Sequence, residues 1–83
     1  MNQNVRIKKD IDMFETNIIQ FTKKNKKLTQ KQKKTVELSK QYYADSKYYL
    51  EKKDYFTAFG CINYAHGLLD AIIKFWNLSK STK

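Results

Sequence analysis

The sequence predicts an all-α fold, in which an antiparallel helical hairpin is joined by a third, N-terminal helix as a three-helix bundle or as a swapped dimer. Two observations lead to this prediction. The chain has no proline and only two glycines, and these are the residue types that interrupt helices most strongly. Its apolar residues also recur at spacings of three and four through three separate stretches, which is the period of an amphipathic helix.

Length and cysteine content limit the class of protein. A chain of 83 residues forms a single helical domain, residues 1–83, with a thin core. Its one cysteine, Cys61, cannot form an internal disulfide or a cysteine-ligated zinc site. A lone thiol on an apolar helix face is expected to be buried rather than reactive. We therefore expect no metal and no cofactor.

Neither a targeting segment nor a membrane span is predicted. The N-terminus mixes basic and acidic residues without an apolar run, which is unlike a signal peptide. The most apolar stretch, residues 58–78, falls short of the roughly 20 uninterrupted apolar residues of a span. Its polar residues are Asn63, His66, Asp70 and Lys74. We expect a cytoplasmic protein, in agreement with the single thiol.

The first predicted helix covers residues 4–24. Its apolar residues form one narrow stripe, close to a coiled-coil seam, and Val5 and Ile19 beside it are expected to widen it. The stripe contains Ile7, Ile11, Phe14, Ile18 and Phe21. This helix either folds back on the hairpin or pairs with a second copy of the chain.

A basic segment follows. Residues 23–34 carry seven lysines and no acidic residue, and they account for most of the net charge of +9. The segment is either a solvated connection or a polar helix that continues into the next one. We favour a connection at residues 25–30, because Thr29 and Gln32 have the spacing of a capping box; Thr35 is the alternative cap.

The second predicted helix covers residues 31–52 and has a broad apolar face. Ser39, Ala44 and Ser46 leave room between its tyrosine rings. The face combines two stripes: Leu38, Tyr42 and Tyr49, and Val36, Tyr43 and Leu50.

The third predicted helix covers residues 55–78. Asp54 is its expected N-cap, with the carboxylate accepting from the backbone N–H of Phe56 or Thr57. Two apolar stripes predict two neighbours for this helix. They are Ala58, Ile62, Ala65, Leu69, Ile72 and Trp76, and Cys61, Leu68 and Phe75.

Two glycines interrupt the third helix, Gly60 and Gly67. Each costs about 1 kcal/mol relative to alanine in a helix interior, so each needs a reason. We favour the close approach of a helix or a tyrosine ring. The alternative is the floor of a ligand groove.

The hairpin contains a specific string, YAHGLLDA, at residues 64–71. With it belong residues 42–43, 45, 48–52, 54–55 and 58–59. On these residues the hairpin resembles a small archaeal family of unknown function, the domain of unknown function number three hundred and fifty-seven. The resemblance implies a compact helical protein without an assigned activity. The family usually has glycine before the aspartate of the turn, where this chain has Lys53, so a left-handed turn residue here carries strain of about 1 kcal/mol.

The hairpin is also loosely similar to a single tetratricopeptide-type helix pair. A solenoid needs about three such units. We interpret this similarity as a shared way of packing two antiparallel helices.

A polar cluster is the first candidate site. His66 and Asp70 are four residues apart, so the carboxylate can reach the imidazole. The cluster along the edge of the hairpin comprises Tyr42, Asp45, Asn63, His66 and Asp70. Its functional interpretation is a small-molecule or general-base site. We favour a structural role, in which the pair sets helix register, because no nucleophile or second acid stands in line with it.

The lysines are the second candidate site. Seven ammonium groups neutralise several phosphates and favour sequence-independent contact with nucleic acid. They are Lys23, Lys24, Lys26, Lys27, Lys31, Lys33 and Lys34. The segment has no aromatic residue for base stacking, although an exposed Tyr43, Tyr48 or Tyr55 would extend such a surface.

The function favoured by these observations is a non-enzymatic interaction module. Its partner is another protein or a second copy of the chain. The alternative is a nucleic-acid-binding protein that uses the lysines. We expect no membrane partner and no enzymatic activity.

Overall fold

The structure is a computed structural model that describes the backbone of residues 3–81 and the side chains of residues 3–74. Three helices make up nearly all of it: α1 (Gln3–Lys24), α2 (Gln30–Glu51) and α3 (Tyr55–Ser81). The predicted all-α three-helix bundle is confirmed. Helix α3 continues three residues beyond its predicted end at Leu78. The predicted roles of Phe75 and Trp76 lie outside the described side chains.

The three helices run up, down and up. Contacts between α2 and α3 are the most extensive, and α1 packs mainly on α3. Arg6 lies over the Phe59 ring, and His66 lies beside Asp10. From the first contact to the second, the residue number rises in both helices, so α1 runs parallel to α3 and antiparallel to α2. Of the two predicted arrangements, this one folds α1 back on its own hairpin.

The core confirms most of the predicted stripes of α1 and α3. Four of the five predicted residues of α1 are buried, and the fifth, Ile18, is half-buried against the core. The buried residues of α1 and α3 are Ile7, Ile11, Phe14, Phe21, Ala58, Ile62, Ala65, Leu69 and Ile72. The prediction that Val5 and Ile19 widen the stripe of α1 is wrong, because both side chains are more than half exposed.

Helix α2 differs from its prediction because small residues, not rings, face the core. Val36, Ser39 and Ser46 are its buried residues. Each serine hydroxyl donates to a carbonyl of its own helix, Ser39 to Val36 at 2.7 Å and Ser46 to Tyr43 at 2.6 Å. These hydrogen bonds satisfy the buried hydroxyls without a partner on α3.

In the predicted stripe of Leu38, Tyr42 and Tyr49, only the placement of Leu38 is wrong, since its side chain is exposed. Ala44 is exposed as well. The rings flank the core instead of filling it. Tyr42, Tyr43 and Tyr49 are partly buried and pack against its edge.

The lysine-rich segment contains a non-helical connection between α1 and α2 and does not form one continuous helix. Residues 25–29 are not helical, and α2 begins at Gln30. The Thr29 hydroxyl accepts from the Gln32 N–H at 3.1 Å, while the Gln32 side chain accepts from the Thr29 N–H at 2.8 Å. The predicted capping box is therefore confirmed, and the continuous helix is excluded.

The turn between α2 and α3 is closed by backbone hydrogen bonds. Asp54 donates to the Tyr49 carbonyl and Lys53 donates to the Leu50 carbonyl, which is the Schellman pattern at a helix C-terminus. Lys53 has φ of 64°, so the left-handed residue is a lysine. The Asp54 carboxylate accepts from the Thr57 N–H at 3.2 Å, as predicted for the N-cap of α3.

One segment meets the length and composition expected of a membrane span. Tyr55–Lys74 is apolar enough to qualify among the described residues. Its side chains at Ala58, Ile62 and Leu69 form the core with the other helices, and a core helix meets the same criterion. The absence of a membrane partner stays a prediction.

The strain at Lys53 is testable by two substitutions that remove the same charge. Lys53→Gly relieves the left-handed conformation and is expected to raise the free energy of unfolding by about 0.5–1 kcal/mol relative to Lys53→Ala. Urea unfolding followed by circular dichroism measures both. Equal stability of the two variants would contradict a left-handed residue at this position.

Candidate functional site

The predicted polar cluster is not assembled around His66. The His66 Nε2 atom lies 2.9 Å from the carbonyl oxygen of Asp10. A carbonyl only accepts, so Nε2 carries the hydrogen and donates it. The imidazole also packs edge-on against Phe14, with the centroids 5.6 Å apart. His66 therefore faces α1 and fastens it to α3.

The other four residues of the predicted cluster lie apart from this contact. Asp45, Asn63 and Asp70 are exposed. Tyr42 packs edge-on against Tyr64, with centroids 4.6 Å apart. Within the described part of the chain, no side-chain hydrogen bond or ion pair joins any two of the five, and no group of three metal-ligating side chains occurs.

A second polar contact, which the sequence did not reveal, joins α1 to α2. The Tyr43 hydroxyl donates to the Glu15 carboxylate, and the Lys47 ammonium lies 3.9 Å from the same carboxylate. The Tyr43 ring stacks on Phe14. Burial of the phenol raises the pKa of Tyr43 above its ordinary value, and the hydrogen bond to Glu15 is the second cause of the increase.

This raised pKa gives a prediction for alkaline pH. The stabilisation from the protonated phenol is complete below the unfolded-state pKa near 10 and is lost as pH rises through the higher folded-state pKa. Tyr43→Phe should lower the free energy of unfolding by about 1 kcal/mol at pH 7, because the Glu15 carboxylate loses a donor. The difference in free energy of unfolding between Tyr43→Phe and the wild type should shrink above pH 10. Tyr48→Phe, at an exposed tyrosine without a hydroxyl partner among the described residues, is the control for urea unfolding across pH.

An open groove lies on the outer side of the hairpin, near the turn. Its volume is about 450 Å³. Its lining is almost wholly apolar, and we call it the aromatic groove: Tyr42, Phe56, Thr57, Phe59, Gly60, Cys61 and Tyr64. The Phe56 side chain is 90% exposed. Phe56 and Phe59 also border a smaller cavity of about 270 Å³ beside Arg6, so the two rings form a wall between two depressions.

The glycines of α3 do not serve the close packing that the sequence favoured. A Cβ atom at Gly60 or at Gly67 would meet nothing within 4 Å among the described residues. The favoured interpretation is therefore wrong for the folded chain. Gly60 lines the aromatic groove, which agrees with the alternative of a groove floor.

The carboxylates of Asp45 and Asp54 act on the Cys61 thiol in the aromatic groove. Burial raises the pKa of the Cys61 thiol, and the negative charges of Asp45 and Asp54 raise it further. Cys61 is half-buried. The thiol is thus protonated at neutral pH and is a poor nucleophile.

Alkylation tests the environment of Cys61. The rate of reaction with iodoacetamide should rise with pH and reach its midpoint above the ordinary thiol pKa of about 8.5. The same chain unfolded in urea should show the ordinary midpoint and serves as the control. Restricted access alone would slow alkylation of the folded protein without moving the pH midpoint of the reaction. That outcome would contradict a raised pKa of the Cys61 thiol.

The seven predicted lysines are all exposed. Lys23 and Lys24 end α1, Lys26 and Lys27 lie in the connection, and the other three lie in the first two turns of α2. They surround one end of the bundle. Of the tyrosines expected to extend this surface, Tyr43 and Tyr55 are half-buried, and Tyr48 is exposed near the opposite end.

Comparison with known families decides the relationship of the chain. Residues 9–78 match DUF357, described as a protein of unknown function. The chain belongs to the DUF357 family. The DUF357 match begins in α1 and ends in α3, so it includes the first helix and the basic segment as well as the hairpin. A search of curated proteins found no match.

Proposed function

We propose that this DUF357 protein is a non-enzymatic interaction module that binds an apolar segment of a partner protein in the aromatic groove. The observation that carries the proposal is the Phe56 side chain, which is 90% exposed beside an apolar depression. A single exposed aliphatic side chain is ordinary, whereas a contiguous apolar patch is typical of an interaction surface.

The groove offers more than one aromatic contact. Phe59 and Tyr64 are 38% and 53% exposed, and both line the groove with Phe56. Aromatic side chains lose little conformational entropy on binding, and they are enriched among the residues that contribute most to interfaces. The open space above Gly60 lets the backbone of a bound segment approach α3.

Charge indicates the chemistry of the occupant. The carboxylates of Asp45 and Asp54 act on Cys61 in the groove, and both residues are exposed. A segment that combines apolar side chains with a lysine or arginine complements this surface. Self-association is less favourable overall because each copy carries a net charge of +9.

The non-enzymatic part of the proposal is supported by how the reactive side chains are used. The His66 Nε2 atom is engaged by the Asp10 carbonyl, and the Cys61 thiol has a raised pKa. Among the described side chains, neither group has a second catalytic side chain in hydrogen-bond contact.

Two glycine substitutions provide a matched test. Gly60→Ala and Gly67→Ala should each raise the free energy of unfolding by about 0.5–1 kcal/mol, since neither Cβ meets a neighbour. Only Gly60→Ala adds a methyl group to the groove and should weaken partner binding. Phe56→Ser should weaken it at least about tenfold by removing the anchor ring.

The binding measurement uses a partner captured from an extract of the source organism and then purified. Its affinity is compared by calorimetry for the wild type, the three variants and Ile19→Ser, a control at an exposed apolar residue of α1. Light scattering reports whether the captured partner is a second copy. Equal losses for Phe56→Ser and Ile19→Ser, or for the two glycine variants, would contradict the proposal.

A further inference from the structure

We infer that the lysine end of the bundle binds the phosphate backbone of double-stranded nucleic acid without reading its sequence. The lysine end is defined by the following side chains: Lys23, Lys24, Lys26, Lys27, Lys31, Lys33 and Lys34. This function is separate from the aromatic groove and does not depend on it.

The fold gathers these charges from three consecutive elements. The C-terminus of α1, the connection at residues 25–29 and the N-terminus of α2 meet at one end of the bundle. Helix α3 runs antiparallel to α2, so the exposed Lys74 near its C-terminal part lies toward the same end. The result is a positive surface in three dimensions as well as a positive run in sequence.

The charges at the lysine end are not neutralised within the described chain. None of the seven ammonium groups takes part in an ion pair, a hydrogen bond or a ring contact there. The two ion pairs of the described residues use Lys40 with Glu37 and Lys47 with Glu15. The first turn of α2 also has no acidic residue, although acidic residues are the favoured neighbours of a helix N-terminus.

The chemistry of the side chains favours phosphates over bases. Lysine presents a compact charge, whereas base-specific recognition more often uses the planar fork of arginine. The one arginine, Arg6, lies near Phe59. The contacts expected at the lysine end are therefore independent of sequence and sensitive to salt.

The placement of the aromatic residues favours a duplex over a single strand. Single-strand binding generally adds base stacking on exposed rings to backbone contacts. Among the described side chains, the aromatic residue nearest to these lysines in sequence is Phe21, which is only 5% exposed. The exposed rings of Tyr48 and Phe56 lie beside the turn, toward the other end of a molecule 46 Å long. Residues 3–74, whose side chains the structure describes, therefore offer bases no exposed ring to stack on at the lysine end.

The test measures binding of the full chain to duplex RNA, duplex DNA and the corresponding single strands by fluorescence anisotropy at several salt concentrations. We expect duplex binding that weakens steeply with salt and is at least as tight as single-strand binding. The combined variant K26Q/K27Q/K31Q should reduce the slope of log affinity against log salt by roughly two to three, and should weaken binding about tenfold or more at moderate salt.

The matched control, K8Q/K9Q/K53Q, removes the same charge from exposed lysines outside this end. It should retain most of the affinity. Equal loss in the two triple variants, or no binding at low salt, would overturn the inference. Tighter binding to single strands would also overturn it, as would binding to anionic lipid vesicles but not to duplexes.

Variants of the aromatic groove and of the lysine end distinguish the two proposals. Phe56→Ser should leave duplex binding unchanged, while K26Q/K27Q/K31Q should leave binding of the purified protein partner unchanged. Failure of one proposal therefore leaves the other measurable on the same set of variants.

Discussion

The bundle depends on the close contact between α2 and α3, which small residues permit. Ser39 and Ser46 are seven residues apart on α2, Ala58 and Ala65 are seven residues apart on α3, and all four are 0% exposed. Antiparallel helices joined by a short turn bring such pairs to similar heights. Larger side chains at these positions would force the helices apart, because interiors are packed at the density of organic crystals. The tyrosines are consequently displaced to the flanks, where each ring is apolar on one side and its hydroxyl reaches solvent or a polar partner.

Helix α1 completes the core and also determines what the polar residues do. Its apolar stripe covers the hairpin, and Phe14 contacts both Tyr43 and His66. On either side of this ring, Glu15 accepts from Tyr43 and the Asp10 carbonyl accepts from His66. Apolar packing is tolerant of small shifts along a helix, whereas hydrogen bonds on two sides of one ring require a particular register. His66, the central residue of the predicted polar cluster, is thus used to position α1.

The parts of this fold that were predictable from sequence are those determined by local spacing. The apolar period of α1, the capping box of Thr29 and the N-cap at Asp54 depend on residues within one or two turns. The contacts that were missed join distant positions: Tyr43 and Glu15 are 28 residues apart, and His66 and Asp10 are 56 apart. His66 and Asp70 have the i,i+4 spacing of a side-chain pair on one helix. In the structure, His66 donates instead to the carbonyl of Asp10, which is distant in sequence. Leu38 was misplaced for a related reason, since hydrophobicity alone does not show that serine will occupy the closest approach between two helices.

The same construction accounts for the two surfaces that remain available. Small residues form the closest contact inside the hairpin, and the most exposed ring among the described side chains of α3, Phe56, lies just after the turn. The lysines occupy the opposite end, where helices terminate and side chains need not pack. On α2, Lys34 lies eight residues before Tyr42 of the aromatic groove, about 12 Å along the helix axis. The Debye length of about 8 Å at physiological salt is shorter than this separation, so the lysine charges are partly screened at the groove. The fold therefore presents an apolar surface and a cationic surface on different parts of one three-helix bundle.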